Sequence, residues 1–215
     1  MARWSAENAT NAYLHTVKMC KEREKQPDEA EFISALAAGT NAQLMVEICA
    51  PGKGPGATTF ALLAAAHQTG GRVVCVLTDA MATHSSPEMA MLQAQAPHRL
   101  ELVVGDGCAL LVGALRGADF VVGDCRWAPH ESVVRTAEAG AREGGVVVFG
   151  RHAFDGEAGL RHRGAMRSVA LPIGGGVVVT RIKEGVRERK RSKWVVRVDK
   201  FTGEEHVFRV PVGGA

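Results

Sequence analysis

The chain has 215 residues, 46% of them hydrophobic, and a formal net charge of +3 at pH 7. This length suits one α/β domain with a sizeable core. The segment from Lys183 to Lys193 has a local charge of +4, so the rest is near neutral and a uniformly basic protein is excluded. The cysteines show no CxxC pair and no zinc spacing, so we expect reduced buried thiols at Cys20, Cys49, Cys75, Cys108 and Cys125.

The amino-terminal segment predicts two helices rather than a signal peptide. Met1 to Ser5 leads into a polar amphipathic pattern, and no apolar run in the chain approaches a membrane span. Ser5 can cap the first helix, and Pro27 suits the first turn of a second helix that Gly39 ends. We therefore expect a soluble, cytoplasmic protein whose two helices dock on a central sheet.

A glycine loop between a strand and a helix carries the strongest signal for function. The elements in order are a strand, a loop, a helix and a strand: Leu44 to Ile48, Pro51 to Gly56, Thr58 to Gln68, and Arg72 to Leu77. This order is typical of a nucleotide-binding crossover. Gly52, Gly54 and Gly56 let the backbone approach a ligand where a Cβ would clash. A Walker A loop is disfavoured, because Lys53 is followed by glycine and not by Ser or Thr.

Strands and helices continue to alternate after this crossover. Three further strands are runs of β-branched residues without polar alternation: Leu100 to Val104, Asp119 to Asp124, and Gly145 to Phe149. Two further helices are predicted, one from Ser86 to Pro97 and one from Glu131 to Arg142. Apolar strands of this kind have both faces covered by helices, so the pattern predicts a Rossmann-like, doubly wound, mostly parallel sheet.

Two hairpins end the chain. Arg167 to Leu171 and Val177 to Ile182 flank a short glycine turn, which predicts an antiparallel edge on the parallel sheet. Trp194 to Val198 and His206 to Val210 form a second hairpin. We therefore expect an α/β domain over residues 1–183, a basic loop over 184–193, and a hairpin extension over 194–215 packed on the same domain.

Several motifs resemble those of class I methyltransferases that use S-adenosylmethionine (SAM), especially O-methyltransferases of the caffeoyl-CoA type. Val46-Glu47-Ile48 looks like the first motif of these enzymes, Val104-Gly105-Asp106 like the third-strand motif, and Asp119 to Cys125 like the fourth. The chain is closer still to a plant family of uncharacterised proteins grouped with methyltransferases by sequence. Its marks include residues 33–39, Leu171-Pro172-Ile173-Gly174 and residues 202–209. The resemblance implies a methyltransferase-like fold and a SAM site.

The chain departs from the enzyme pattern at three places. Glu47 precedes the glycine motif by five residues instead of two, and Leu77 stands where the family has an acid that holds the ribose hydroxyls. Asp79, two residues later, is the remaining candidate for that role. Gly150-Arg151 replaces the Asp-Asn pair of the metal-dependent enzymes. We therefore expect no divalent metal site of that type.

The candidate cofactor-binding residues follow the strands at their carboxyl ends. They are Glu47, Gly52, Gly54, Gly56, Asp79 and Asp106. The resemblance implies that Asp106 contacts the adenine end of SAM, but the same residue can simply cap the following helix. Glu47 can accept hydrogen bonds from a ligand's amine or from protein groups, since a buried carboxylate needs a partner. The glycines can also be a flexible insertion without a ligand, or a dinucleotide fingerprint completed by Ala57.

The candidate catalytic residues are Asp124, His130 and His152, which follow the fourth and fifth strands. Methyl transfer needs a deprotonated nucleophile, so a histidine base oriented by Asp124 would help. Each histidine can equally be a polar loop residue, and Arg151 can bind a carboxylate or phosphate of a substrate.

The basic run is compatible with two further roles besides binding of a small-molecule ligand elsewhere in the chain. Its side chains can track phosphates of a nucleic acid or act as a nuclear import signal: Arg187, Arg189, Lys190, Arg191 and Lys193. A solvated charged loop explains the same residues. The edge strands and the last hairpin can pair two subunits into a homodimer.

Three functions follow from these patterns. The first is a SAM-binding protein that transfers a methyl group without metal to a small acceptor. The second is a degenerate methyltransferase fold that acts as a binding or scaffold module. The third is an NAD(P)-binding protein that uses the same glycine loop.

Overall fold

The computed structural model describes residues 4–20, 29–79, 98–141, 144–155, 167–182, 192–198 and 205–211. The chain divides into two compact units, Met1–Glu184 and Gly185–Ala215. The predicted helix from Ser86 to Pro97 and most of the predicted basic loop lie outside the described residues. None of the helices within the described ranges is long and apolar enough to cross a membrane.

The two amino-terminal helices are α1, Ala6–Cys20, and α2, Glu29–Gly39. Ser5 caps α1 as predicted, because its Oγ accepts a hydrogen bond from the Asn8 amide at 3.2 Å. The Trp4 ring lies against Gly39 at the end of α2, where any side chain would overlap it. Both helices pack against each other and against the helix that follows the first strand.

The larger unit contains a seven-stranded sheet in the order β3-β2-β1-β4-β5-β7-β6. The strands are β1 Leu44–Ile48, β2 Arg72–Leu77, β3 Leu100–Val104, β4 Phe120–Asp124, β5 Val146–Arg151, β6 Arg167–Leu171 and β7 Val177–Ile182. The first five are parallel, and β7 pairs antiparallel with both β5 and β6. The predicted doubly wound sheet with an antiparallel edge hairpin is confirmed.

Helices cover both faces of this sheet. They are α3 Ala57–Thr69, α4 Gly107–Val112 and α5 His130–Gly140. Alternate residues of β1 face opposite sides, so Met45 packs with α3 while Val46 packs with α5. Glu47 shares the face of Met45, which places its carboxylate toward α3.

Several predicted boundaries were wrong by one or two residues. β4 begins at Phe120 and not at Asp119, whose carboxylate accepts the Gln43 and Leu44 amides at 2.9–3.1 Å. Helix α5 ends at Gly140, because Ala141 is already extended. β5 runs two residues further than predicted, to Arg151, through its pairing with β7.

The smaller unit contains one antiparallel pair, β8 Ser192–Val198 and β9 Glu205–Pro211. The predicted second hairpin is therefore confirmed, with β8 starting two residues earlier than expected. Its packing on the larger domain stays a prediction.

Candidate functional site

The sheet reverses its direction of winding between β1 and β4. The chain passes from β1 to β2 and β3 on one side, and then to β4 and β5 on the other. In open α/β sheets a crevice forms at the carboxyl ends of the two strands that flank such a reversal. Here those ends carry Glu47 and Cys49 on β1, and Asp124 and Cys125 on β4.

The glycine loop leads from β1 into α3 at this edge. Gly52 has a φ of +68°, in the left-handed region, and the Lys53 amide closes a turn onto the Ala50 carbonyl at 2.9 Å. Gly56 is the N-cap of α3, and its amide donates to Thr59 Oγ1 at 3.0 Å. Among the described residues, no atom lies within 4 Å of where a Cβ at Gly52 or Gly56 would stand. With the exposed Gly54, the loop thus presents bare backbone to open space.

Glu47 is buried at the end of β1 and has protein partners. Its Oε2 accepts a hydrogen bond from Thr59 Oγ1 at 2.6 Å and lies 3.5 Å from Cys75 Sγ. Burial raises the pKa of Glu47, and the hydrogen bond from Thr59 and the positive charge of Arg151 offset part of this shift. The expectation that this carboxylate needs a partner is confirmed, whereas its contact with a cofactor stays a prediction.

Two buried thiols lie beside Glu47. Cys49 and Cys75 are both free, and their sulfurs and the Glu47 carboxylate all lie within 4.8 Å of one another. The hydrogen bond with Cys49, burial, and the charge of Glu47 together raise the pKa of Cys75 well above its usual range. The prediction of reduced buried thiols is confirmed for these two residues, whereas Cys108 and Cys125 are only half-buried.

Arg151, at the end of β5, ties together three elements. Its Nε donates to Glu29 Oε2 of α2 at 2.6 Å, and its Nη1 donates to Thr58 Oγ1 of α3 at 2.8 Å. Glu29 is 4% exposed, and its Oε1 has no hydrogen-bond partner within the described part of the chain. Arg151 was considered above as a group that binds a substrate. In the structure its guanidinium is paired with the buried carboxylate of Glu29.

Asp124, at the end of β4, is held by Arg126. The Arg126 amide and Nε donate to Oδ1 at 3.0 Å, and Nη2 donates to Oδ2 at 2.6 Å. Burial alone would raise the pKa of Asp124, but the hydrogen bonds from Arg126 and the neighbouring His152 outweigh it and lower the pKa. The carboxylate is thus ionised at neutral pH.

His152 lies between two carboxylates. Its Nε2 is 3.8 Å from Asp124 Oδ2, and its Nδ1 is 3.1 Å from Asp155 Oδ2. Its backbone has a φ of +52°, which is uncommon for a residue with a side chain and is often found at functional sites. Gly175, in the β6–β7 turn, leaves room for the ring, because a Cβ there would lie 2.6 Å from His152 Nδ1.

His130, the first residue of α5, faces the antiparallel edge instead. Its Nε2 lies 2.9 Å from Thr180 Oγ1, which is in turn 2.7 Å from Ser168 Oγ. A Cβ at Gly150 would stand 2.6 Å from His130 Nδ1 and 2.7 Å from Cys125 Sγ. The absence of a side chain at Gly150 therefore provides the space that the His130 ring and the Cys125 thiol occupy. His152 is thus a candidate histidine that the structure brings within 4 Å of Asp124.

The remaining predicted residues are Asp106, Asp79 and those of the basic run. Asp106 caps α4, because its Oδ1 accepts the Ala109 amide at 2.6 Å, so the capping alternative is confirmed and its adenine contact stays a prediction. Leu77 is fully buried, and Asp79 is exposed in the bend that follows. Arg187, Arg189, Lys190 and Arg191 lie outside the described residues, and Lys193 is described only as part of β8.

A separate cleft of about 450 Å³ lies at the amino edge of the sheet. Gln43, Arg72, Arg116 and Asp119 are among the residues that line it. The residues that line it lie near the starts of the strands. This cleft is therefore distinct from the crevice at the carboxyl ends of β1 and β4.

Several neighbours of the predicted residues were not predicted from the sequence. They are Glu29, Cys49, Thr59, Cys75, Arg126 and Asp155. The thiols could have been found from the strand pattern, since β1 and β2 are consecutive parallel strands that pair Glu47 with Cys75. The Glu29–Arg151 pair spans 122 residues and leaves no local signal.

The sequence matches a family model described as "Protein of unknown function (DUF1442)" over residues 2–210. The chain belongs to the DUF1442 family. The comparison with curated proteins gives no match. The predicted plant origin stays a prediction.

Solved structures similar to this DUF1442 chain include methyltransferases. A methyltransferase from Geobacter sulfurreducens has a TM-score of 0.56 at 20% identity, over 82% of this chain and 90% of that chain. A putative caffeoyl-CoA O-methyltransferase from Staphylococcus aureus has a TM-score of 0.56 at 9% identity, over 79% and 91%. An O-methyltransferase from Bacillus cereus, solved in complex with SAH, has a TM-score of 0.54 at 16% identity, over 80% and 90%. This DUF1442 protein therefore has the class I methyltransferase fold.

Proposed function

We propose that this protein binds SAM in the crevice between β1 and β4. The observation that carries the proposal is the glycine loop, whose backbone at Gly52 and Gly56 borders open space within the described structure, at the point where the sheet reverses. A bound adenosyl ligand would occupy the space that a side chain at either glycine would fill. The SAH complex of the similar Bacillus cereus enzyme supports the choice of ligand.

Residues of four segments would hold this ligand. The loop backbone at Gly52, Gly54 and Gly56 would approach its amino-acid end, and Glu47 would complement its amine. Asp79 would reach the ribose from the bend after β2, and Asp106 would line the adenine side from the start of α4.

We further propose methyl transfer without metal to a small acceptor. Bound SAM supplies an electrophilic methyl group on a sulfonium. His152 would take the proton of the acceptor, since it is the candidate base beside two carboxylates. Asp124 and Asp155 stabilise the imidazolium that results, and the contacts from Arg126 keep Asp124 ionised.

Titration calorimetry tests the ligand. The full chain is titrated with SAM, S-adenosylhomocysteine (SAH), NAD and NADP, and we expect binding of the first two only. Gly56→Leu should weaken SAM binding at least about tenfold, which is about 1.4 kcal/mol, because its side chain would fill space that the ligand needs. Ala139→Leu is the matched control, because Ala139 is exposed near the end of α5 at the amino edge of the sheet.

Each outcome separates the functions. SAM binding lost only in Gly56→Leu supports the proposal, and NADP binding alone supports a dinucleotide-binding protein. Binding of none of the four ligands by a protein with a cooperative thermal transition overturns the proposal.

A binding module without catalysis is a second candidate. The observation that favours it is that His130 contacts Thr180 and that Asp124 is held by Arg126, so these two candidate groups have partners within the fold. The protein is incubated with SAM and panels of phenols, amines and thiols, and SAH is measured. SAH formation that falls at least about a hundredfold in His152→Ala supports an enzyme, whereas SAM binding without SAH formation supports the binding module.

A further inference from the structure

The fold brings two thiols and a carboxylate together at the end of β1. Residues 45, 47 and 49 point to the same side of the sheet, and the parallel register pairs Glu47 with Cys75. The Cys49 amide donates to the Val76 carbonyl at 2.9 Å, which holds Cys49 beside β2 after the strand has ended. The exposed fractions of Glu47, Cys49 and Cys75 are 8%, 6% and 0%.

The distances within this cluster suit a tetrahedral ion. Tetrahedral zinc binds sulfur at about 2.3 Å and carboxylate oxygen at about 2.0–2.2 Å, so its sulfur and oxygen ligands lie about 3.5 Å apart. Cys75 Sγ and Glu47 Oε2 are 3.5 Å apart, and the three ligand atoms all lie within 4.8 Å of one another. The cluster therefore needs only small side-chain shifts to close around one ion.

The ligand types select the metal. Two thiolates with one carboxylate favour a borderline or soft ion such as Zn²⁺ over Mg²⁺ or Ca²⁺, which take oxygen ligands. Thr59 Oγ1 donates to Glu47 and so orients it, as groups behind a metal ligand usually do. The charge of Arg151 acts on Glu47, and it would balance the net negative charge of Zn²⁺ with three anionic ligands.

We propose that Glu47, Cys49 and Cys75 bind one Zn²⁺ ion, with a fourth position left for water or another small ligand. The site is chemically unlike the oxygen-ligand metal site of the caffeoyl-CoA-type enzymes. It does not rest on the proposed function, although both use Glu47. Zinc binding displaces a proton from each coordinating thiol.

Cobalt substitution and X-ray absorption test the site in the wild-type chain. The reduced protein is titrated with Co²⁺ and separately with Zn²⁺, in the absence of SAM. We expect one ion per chain, a sulfur-to-cobalt charge-transfer band, and a zinc shell with two sulfurs at about 2.3 Å and at least one oxygen at about 2.0–2.2 Å. A cobalt spectrum without sulfur ligation, or a zinc shell of oxygen and nitrogen alone, overturns the proposal.

Variants then assign the ligands. Cys49→Ser/Cys75→Ser should weaken Zn²⁺ binding at least about a hundredfold against a competing chelator. Mutation of groups that only hydrogen-bond to metal ligands already lowers metal affinity about 10–100-fold. Cys108→Ser and Cys125→Ser, at half-buried thiols outside the cluster, should bind Zn²⁺ like the wild type. Equal affinity of the double variant and the wild type contradicts the assignment.

SAM titration of the same double variant keeps the two proposals apart. Its glycine loop and Glu47 are unchanged, so loss of Zn²⁺ binding with SAM binding retained supports a metal site that SAM binding does not require. Absence of zinc binding in a chain that binds SAM refutes only the metal site, and the reverse result refutes only the nucleoside site.

Discussion

At the scale of single residues, the ion pair between Glu29 and Arg151 makes the sharpest prediction. Arg151→Met keeps the apolar stem but leaves a carboxylate that is 4% exposed without its cation. Breaking a buried pair in this way costs about 3 kcal/mol, more than most single contacts contribute. We expect the free energy of unfolding to fall by about that amount in urea denaturation.

A surface pair provides the matched control for this change. Arg135 and Glu131 form an i,i+4 pair on α5 in which both side chains are more than half exposed. Arg135→Met should therefore cost less than about 0.5 kcal/mol. The double variant Glu29→Leu/Arg151→Met should recover much of the lost stability, because no buried charge remains. Equal effects of Arg151→Met and Arg135→Met would contradict the buried pair.

Asp124 and Glu47 should make the free energy of unfolding depend on pH in opposite directions. The pKa of Asp124 is lowered in the folded chain, so its contribution is present above about pH 4 and disappears as the pH falls through the lowered pKa. The pKa of Glu47 is raised, so the folded state keeps this proton longer than the unfolded chain. Its contribution therefore falls as the pH rises above about 4.3 toward the raised pKa.

Asp124→Asn and Glu47→Gln separate the two contributions. The stability difference between wild type and Asp124→Asn should grow from strongly acid pH to about pH 5, and the difference for Glu47→Gln should shrink as the pH rises to neutrality. Denaturation at a series of pH values measures both. If both stability differences changed with pH in the same direction, the environment described for Asp124 or for Glu47 would be wrong.

At the scale of elements, the contact between α4 and α5 depends on one glycine. A Cβ at Gly140 would overlap the carbonyl oxygen of Leu111, which is backbone and cannot rotate away. Gly140→Ala gains about 1 kcal/mol of helix propensity but forces the helices apart, and overpacking costs about 1–3 kcal/mol. We expect a net loss of up to about 2 kcal/mol in the free energy of unfolding.

Gly123 in β4 is the control for this substitution. A Cβ there would lie 3.9 Å from Val133 Cγ2, an ordinary contact. Gly123→Ala should leave stability unchanged or raise it by up to about 1 kcal/mol. A Gly140→Ala variant with a higher free energy of unfolding than the wild type would mean that α4 and α5 are not in backbone contact at this position.

The strands could be predicted almost to the residue, and the side-chain contacts could not. β1, β2 and β3 are mostly apolar runs, and Thr78 follows β2 while Gly105 follows β3, so the sequence alone indicates where these two strands end. The site depends on which strands are neighbours: Asp124 meets His152 because β4 pairs with β5. Arg126 and Glu29 were missed because their partners are fixed by turn geometry and by helix docking, which local patterns do not encode.

At the scale of the whole molecule, the two edges of the sheet offer different sites. The carboxyl edge holds the glycine loop, the two thiols and the Asp124–His152 pair, whereas the amino edge holds the cleft lined by Arg72 and Arg116. The likeness to methyltransferases shows the fold and leaves the ligand to experiment. We expect an adenosyl ligand to bind at the carboxyl edge of the sheet, between the ends of β1 and β4.

A crystal structure of the full chain with SAH tests this claim most directly. We predict SAH between the ends of β1 and β4, with its amino-acid end against the backbone of Gly52 to Gly56 and its amine near Glu47. SAH in the cleft of Arg72 and Arg116, or a glycine loop folded inward so that its own backbone fills the crevice, would contradict it.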